Sequence, residues 1–243
     1  MSQAEPHGDV AARAVVREAG AEPRRRDPED TKERLLDAAE RLFAERGFEG
    51  ASLRAVTQAA GTSVSAANYH FGSKEALLAA TIRRRAAPVI EARAARLAAI
   101  ERRVGDAQLP LEEVLDAFLG PIFEERARSG RSDDFRQIAA RLFCDPPPVV
   151  AALKREVFGR TAACFLDALA RALPDKPRRE IALDLQFLVG VMVHVTSGHL
   201  DDAPAPEGWP TLDGTSDEVV LRRMVEFVAA GLRAPAPRER GPR

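Results

Sequence analysis

Apolar side chains recur three and four residues apart through nearly all of this chain, which is the spacing of one face of an α-helix. TKERLLDAAERLFAERG places Leu35, Leu36, Ala39, Leu42 and Phe43 on one stripe. Thr31 offers a cap for this helix, Glu33 favours its first turn, and Gly47 stops it. SLRAVTQAAG predicts a short second helix with Ser52 as cap, a stripe of Leu53, Val56 and Ala60, and Gly61 as its end. A third short helix is expected from about Ser63 to His70. Gly72-Ser73 then makes a turn and a new cap, and a long helix follows through Leu77, Leu78 and Ile82. Pro88 predicts a kink or break within it, because proline lacks the N–H of the helical ladder.

The same period resumes after Pro110 in LEEVLDAFLGPIFEERARSG and in DDFRQIAARLFCD. Pro146 to Pro148 predict a firm boundary. VVAALKREVFGRTAACFLDALARAL, the helix from Arg178, and SDEVVLRRMVEFVAAGL complete the pattern, with a Pro/Gly-rich loop at 201–215 before the last. No segment alternates as a strand does, so the expected class is all-α with about nine helices. The expected organisation is an N-terminal arm at 1–30, a three-helix unit at 31–78, a larger helical body at 79–232 and a tail at 233–243. For the arm, a solvated tail and a phosphate-touching extension are both open.

Two helices of the body are apolar on two faces. From Arg178 onward, Ile181, Leu185, Leu188 and Met192 form one face, and Leu183, Phe187 and Val191 another. The last helix has Val220, Met224, Phe227 and Val228 beside Leu221, Val225 and Leu232. A helix apolar on two faces is buried twice. Pairing with twofold copies through Leu185, Leu188, Met192, Val220, Met224, Phe227 and Val228 predicts a four-helix homodimer interface. Burial of both faces within one chain is the other reading.

Composition narrows the function without naming it. The 243 residues are 45% apolar and 30% charged, with a net charge of -1. This balance excludes a broadly cationic coat for nucleic acid but leaves room for a basic patch on one face. Two cysteines are too few for a disulfide framework. The most apolar run, Leu185 to Val195, is far shorter than the ~20 residues of a membrane span. A soluble, cytoplasmic protein with no membrane partner is the expectation.

The chemistry concentrates in ANYHFGSKEALL, from Ala67 to Leu78. Two short helices joined by a Gly-bearing turn have the proportions of a helix-turn-helix, whose second member enters the major groove. Between Gly50 and Lys74 there is no acidic side chain, in a chain with 37 acids. A surface that meets phosphate avoids carboxylates. Tyr69 and His70 can donate to phosphate oxygens, Ser73 begins a helix whose free N–H groups suit an anion, and Lys74 adds a charge. Ser65, Ala66 and Ala67 are small enough for close approach to base edges. A plain helical hairpin in which Tyr69 and His70 cap a core fits the same spacing.

TKERLLDAAERLFAERGFEGAS followed by SLRAVTQAAGTSVSAANYHFGSKEALL resembles the DNA-binding domain of the TetR family of bacterial repressors, over about Thr31 to Leu78. The resemblance implies that Ser52 and Arg54 meet backbone phosphate. It also implies that the stretch from Thr62 to Ala67, with Ser63, Ser65 and Ala66 in it, faces the groove, and that Tyr69, His70 and Lys74 contact phosphates. Phe71 and Leu77 belong to the core. Asn68 stands where many members have Tyr, and Thr57 where many have Ala. Base readout is then expected from Ser63, Ser65 and Asn68, with methyl contacts to thymine.

The body, from about Phe135 to Leu200, resembles the subgroup around the fatty-acid-responsive repressor PsrA. This implies an apolar, acyl-like effector, a fatty acid or acyl thioester. Phe118, Ile122, Leu142, Phe165, Phe187 and Met192 are the candidate lining, with ordinary core as the other reading of each. Arg141, Lys154 and Arg160 are candidate cations for a charged head. No cofactor is implied. His194 and His199 lie about 140° apart around a helix and do not converge on a metal. Cys144 is a buried thiol or a redox sensor, and Asp201-Asp202 a solvated pair. The chain shows no Gly-rich phosphate loop and no nucleophile–base set. A ligand-gated homodimeric repressor on a near-palindromic operator is therefore the expected function. A helical enzyme or carrier with an incidental helix-turn-helix is the alternative.

Overall fold

The computed structural model describes residues 28–128, 138, 148–197, 207–208 and 214–235. Eight helices stand among them, and no strand. They are α1 (Pro28–Gly50), α2 (Leu53–Ala59), α3 (Val64–Phe71), α4 (Lys74–Val104), α5 (Leu111–Arg128), α6 (Pro148–Ala172), α7 (Arg178–Thr196) and α8 (Asp217–Arg233). The expected helix around 133–145 lies outside the described residues, Ile138 excepted. So do the N-terminal arm up to residue 27 and the tail beyond residue 235.

The first helix begins earlier than its pattern predicts. Pro28, Glu29 and Asp30 precede Thr31 inside α1, where proline suits the first helical position and acids suit the N-terminal end of the helix dipole. Gly47 breaks the helix as expected, with φ 69° and ψ 177°. Pro88 does not break α4, which runs for 31 residues across it. The apolar stripe on either side of Pro88 outweighs the loss of one ladder hydrogen bond.

There are two cores. The N-terminal one gathers Leu35, Leu36, Leu42 and Phe43 of α1, Val56 of α2, Ala67 of α3, and Leu77, Leu78 and Ile82 of α4. The larger one gathers Leu97 and Ile100 of α4 with Val114, Leu115, Phe118 and Leu119 of α5, Phe165 and Leu169 of α6, Ile181, Leu185, Leu188 and Met192 of α7, and Met224 and Val228 of α8. Two helices enter both cores. The first half of α4 belongs to the small unit and its second half to the body. In α6, Leu153 is buried on the small core, with Val157 and Phe158 packed against it, while Phe165 and Leu169 lie in the large one.

Charge also ties the small unit to α4. Glu40 of α1 is buried, yet its carboxylate accepts from Arg84 Nη2 at 2.9 Å and from Arg85 Nε at 2.7 Å. Arg84 Nη1 donates further to Glu33 at 2.9 Å and Asp37 at 2.8 Å. Arg83 of α4 pairs with Glu156 of α6 at 2.5 Å. Charge thus docks α1 on α4, and α4 in turn on α6.

Candidate nucleic-acid interface and helical body

Three serines organise the helix-turn-helix. Ser52, Ser63 and Ser73 each sit in extended backbone before a helix, and each Oγ accepts a backbone N–H three residues on, at 3.1 Å. Each therefore satisfies one of the N–H groups that a helix start leaves open. The turn between α2 and α3 passes through Gly61 at φ 61°. Arg34 of α1 reaches over to it and donates to the carbonyls of Ala60 and Gly61. A Cβ at Gly61 would stand 3.0 Å from Arg34 Nη2 in a left-handed conformation. The turn is fixed by this absent side chain and by one arginine.

With the turn fixed, α3 presents one face outward and one inward. Val64, Ser65, Asn68 and Tyr69 are exposed, Tyr69 at 84%. These positions share one helical face. Ala67 is 1% exposed and packs in the small core with Leu35 and Val56 as members of the same cluster. Ala67 is therefore not a groove-facing residue, since it lies on the inner side of α3, four residues before Phe71. Val64, at 41% exposure, stands on the outer face in its place. It lies within the stretch from Thr62 to Ala67 expected to face the groove.

The remaining predicted residues lie around this face. Ser52, Arg54, Ser63, Ser65 and Asn68 are exposed, and Thr62, Ala66, His70 and Lys74 half-buried. The ring of Tyr69 meets His70 edge-on at 5.2 Å, and His70 in turn lies 6.1 Å from Phe71. Lys74 is partly committed inside the protein: its Nζ donates to Phe48 O at 2.9 Å and lies 4.2 Å from the centre of the Phe48 ring. An ammonium has three N–H donors, so outward ones remain. Thr57, where the family commonly has Ala, is buried and donates to Arg54 O at 2.9 Å. Glu75, one residue past Lys74, has its carboxyl held below the usual range by a backbone N–H bond and by Ser73.

In the body, the expected assignment of faces is corrected. Leu185, Leu188, Met192, Met224 and Val228 are buried in the chain's own core, and Val220 is half-buried against it. They are not a surface for a second copy. The exposed apolar side chains are Leu183 at 47% and Phe187 at 61% from the second face of α7, and on α8 Val219, which belongs to neither predicted face, and Phe227 at 69%. On α7 periodicity identified the two faces but not which of them turns inward; on α8 both predicted faces, Phe227 excepted, turn toward the core. Of that interface, Phe227 alone lies on the exposed set.

Phe187 is likewise not a pocket residue, because it points to solvent. Phe118, Phe165 and Met192 do come together, with Phe118 and Phe165 edge-on at 4.9 Å and Ile122 packed nearby. Leu142, Arg141 and Cys144 lie outside the described residues, as do His199 and the Asp201-Asp202 pair. Arg160 is exposed, and Cys164 is an exposed free thiol. Among the described residues no group of His, Cys, Asp and Glu could hold a metal ion, and no helix is long and apolar enough to cross a membrane. A separate groove of about 840 Å³ between α4, α5 and α8 has Arg96, Glu112, Glu113, Asp116, Arg222 and Glu226 on its walls. It contains none of the predicted lining.

Sequence pattern, fold and site define a helix-turn-helix protein with a helical companion domain. Residues 35–81 match the family model for bacterial regulatory proteins of the tetR family, and residues 116–231 match the tetracyclin repressor-like C-terminal domain. The chain belongs to the TetR family of transcriptional regulators. It is 42% identical over 64 residues to the HTH-type transcriptional repressor AcnR of Corynebacterium efficiens, a match covering 26% of this chain and 34% of that protein. The chain thus spans about a third of the length of the curated relatives it matches. Among solved structures, a TetR-family regulator from Bordetella parapertussis 12822 superposes with a TM-score of 0.56 at 20% identity, over 82% of this chain and 94% of that one. The fatty acid degradation regulator FadR from Bacillus halodurans superposes with a TM-score of 0.57 at 16% identity, over 84% and 97%. Both likenesses concern the fold.

Proposed function

We propose that this protein is a ligand-responsive, homodimeric transcriptional repressor that binds a near-palindromic DNA operator. The observation that carries the reading is the outer surface of α2 and α3. It holds Ser52, Arg54, Ser65, Asn68 and an almost fully exposed Tyr69, with no carboxylate between Gly50 and Lys74. In this reading α3 lies in the major groove, where Ser63, Ser65 and Asn68 supply hydrogen bonds and Val64 and Ala66 supply methyl contacts to thymine. Arg54, Tyr69, His70 and Lys74 hold flanking phosphates. An almost fully exposed tyrosine on a carboxylate-free hairpin contributes little to the fold, which favours a partner over the plain-hairpin reading.

The homodimer pairs Leu183, Phe187, Val219 and Phe227 with their twofold copies. Neighbouring helices α7 and α8 would then form a four-helix contact. The two copies of α3 then stand one DNA turn apart, ~34 Å, or a multiple of it. Residues 31–78 act as the reading head and 79–232 as the effector and dimerisation body. Since α4 and α6 belong to both cores, a ligand that favours one arrangement of the body shifts the spacing of the heads. The effector is proposed to be apolar and acyl-like, as the PsrA-type resemblance implies, and Phe118, Phe165 and Met192 supply the apolar surface.

Fluorescence anisotropy with labelled DNA from upstream of the protein's own coding region tests this. Sequence-dependent binding that weakens steeply with salt supports the repressor reading. Equal, weak binding to all sequences rejects operator recognition.

A further inference from the structure

Arg93 is the buried cation of the body. Its side chain projects from α4 into the large core and is 4% exposed. Its Nε donates to Phe118 O of α5 at 2.7 Å, its Nη2 lies 3.2 Å from Met192 Sδ of α7, and its guanidinium stacks 4.0 Å from the centre of the Phe118 ring. Phe118 in turn meets Phe165 of α6. Four helices converge on this one charge.

Its neighbours on the same helix are treated differently. Arg83, Arg84, Arg85, Arg96 and Arg103 each bind a carboxylate. Arg93, by far the most buried of these, binds none among the described residues. Burial alone pushes its pKa down to about 10, so it stays charged at neutral pH. A buried cation normally has a counter-ion, because desolvating a charge costs several kcal/mol, about the strength its partner must return. One carbonyl, one ring face and one thioether are weak compensation. Arginine has five N–H donors in a planar fork suited to two parallel bonds with a carboxylate. Only two of its nitrogens are engaged, and one of those meets sulfur, a weak acceptor.

We propose that Arg93 anchors the anionic head of the effector, a carboxylate carried on an apolar chain that lies against Phe118 and Phe165. The proposal rests on the acyl-effector reading above and adds the head group and its residue. A carboxylate oxygen takes the place of Met192 Sδ, and methionine has the rotatable bonds to yield it. Because Arg93 is on α4, two helical turns beyond the Arg84–Arg85 dock to Glu40, the anion bonds directly to the helix that carries the reading head. Arg141, Lys154 and Arg160 are not required for this task.

A purely structural Arg93 would do no more than tie α4 to α5 and α7, through the Phe118 carbonyl and Met192 Sδ. Decanoate, decanol and decyltrimethylammonium separate the two roles, since they share a chain and differ in the head. The first readout is the thermal shift of the free protein, which needs no DNA. The second is release of the protein from operator DNA. Decanoate should act at concentrations about tenfold or more below decanol, the worth of a charge-assisted hydrogen bond, and the ammonium compound should act weakest. Arg93→Met should abolish the carboxylate preference while a response to decanol remains. Arg93→Lys, which keeps the charge but not the fork, should retain part of it and serves if the Met variant does not fold. Equal action of decanoate and decanol on the wild type overturns the anion site, as does a carboxylate preference that survives in Arg93→Met. If no decyl compound shifts the free protein, the acyl reading and the anion site fall together. If decanoate shifts the free protein but the second assay finds no binding of the protein to operator DNA, the anion site stands and the repressor reading falls.

Discussion

Replacing Glu40 by alanine removes the acceptor on which the docking of α1 to α4 centres. The carboxylate is 5% exposed and receives bonds from Arg84 and Arg85, whose own side chains are 24% and 27% exposed. Breaking a fully buried pair by removing one partner costs about 3–5 kcal/mol, because the other charge is stranded. Here both guanidiniums reach water, and Arg84 keeps Glu33 and Asp37. Those two facts reduce the expected loss to about 2–3 kcal/mol. For a chain of this size each kcal/mol moves Tm by about 2–4 °C, so Glu40→Ala should lower Tm by about 4–12 °C. Calorimetry at fixed protein concentration reads the shift, since a dimer's Tm depends on concentration. Urea titration gives the free energy, and the Glu40→Ala/Arg85→Ala double variant gives the coupling. A loss below about 0.5 kcal/mol, or single-variant losses that simply add, would show that the cluster is an ordinary surface network.

Gly61→Ala should destabilise the small unit by about 1–2 kcal/mol and weaken DNA binding, because it forces a side chain into a left-handed turn against Arg34; circular dichroism melts and anisotropy check both effects. Phe187→Glu should dissociate the proposed dimer while leaving folded monomers, whereas Leu188→Asp should unfold the chain by burying a carboxylate; light scattering beside circular dichroism distinguishes them, and a dimer intact in Phe187→Glu refutes the assigned face. Lys74→Ala should lower the salt slope of DNA binding by about one unit, and an unchanged slope in anisotropy titrations means that Lys74 serves Phe48 only. Glu112, held below its usual pKa by hydrogen bonds from Arg233, adds stability above the ordinary carboxylate range that is lost as pH falls through its depressed value. Arg233→Ala should therefore be less stable than wild type near pH 7 by under about 1 kcal/mol, given the exposure of the pair, and the gap in urea midpoints should close in acid.

Local pattern was sufficient for most of the helices and for the helix-turn-helix unit. Helix periodicity, the caps at Ser52 and Ser73 and the glycines at 47, 61 and 72 are determined by a few neighbouring residues, so they are legible in one dimension. The carboxylate-free stretch from Gly50 to Lys74 is legible for the same reason. Orientation is a different matter. That Ala67 turns inward and Val64 outward depends on how α3 rolls against α1 and α4. Which face of α7 is core depends on where α4, α5 and α6 stand, and either apolar stripe satisfies the period. Pro88 reads as a break locally, yet apolar burial on both sides carries α4 through it. Arg93 was invisible because a chain rich in arginine gives no hint of which one is sealed off from water. Burial, and the lack of a carboxylate partner among the described residues, come from helices meeting in the body, and only the tertiary structure decides them.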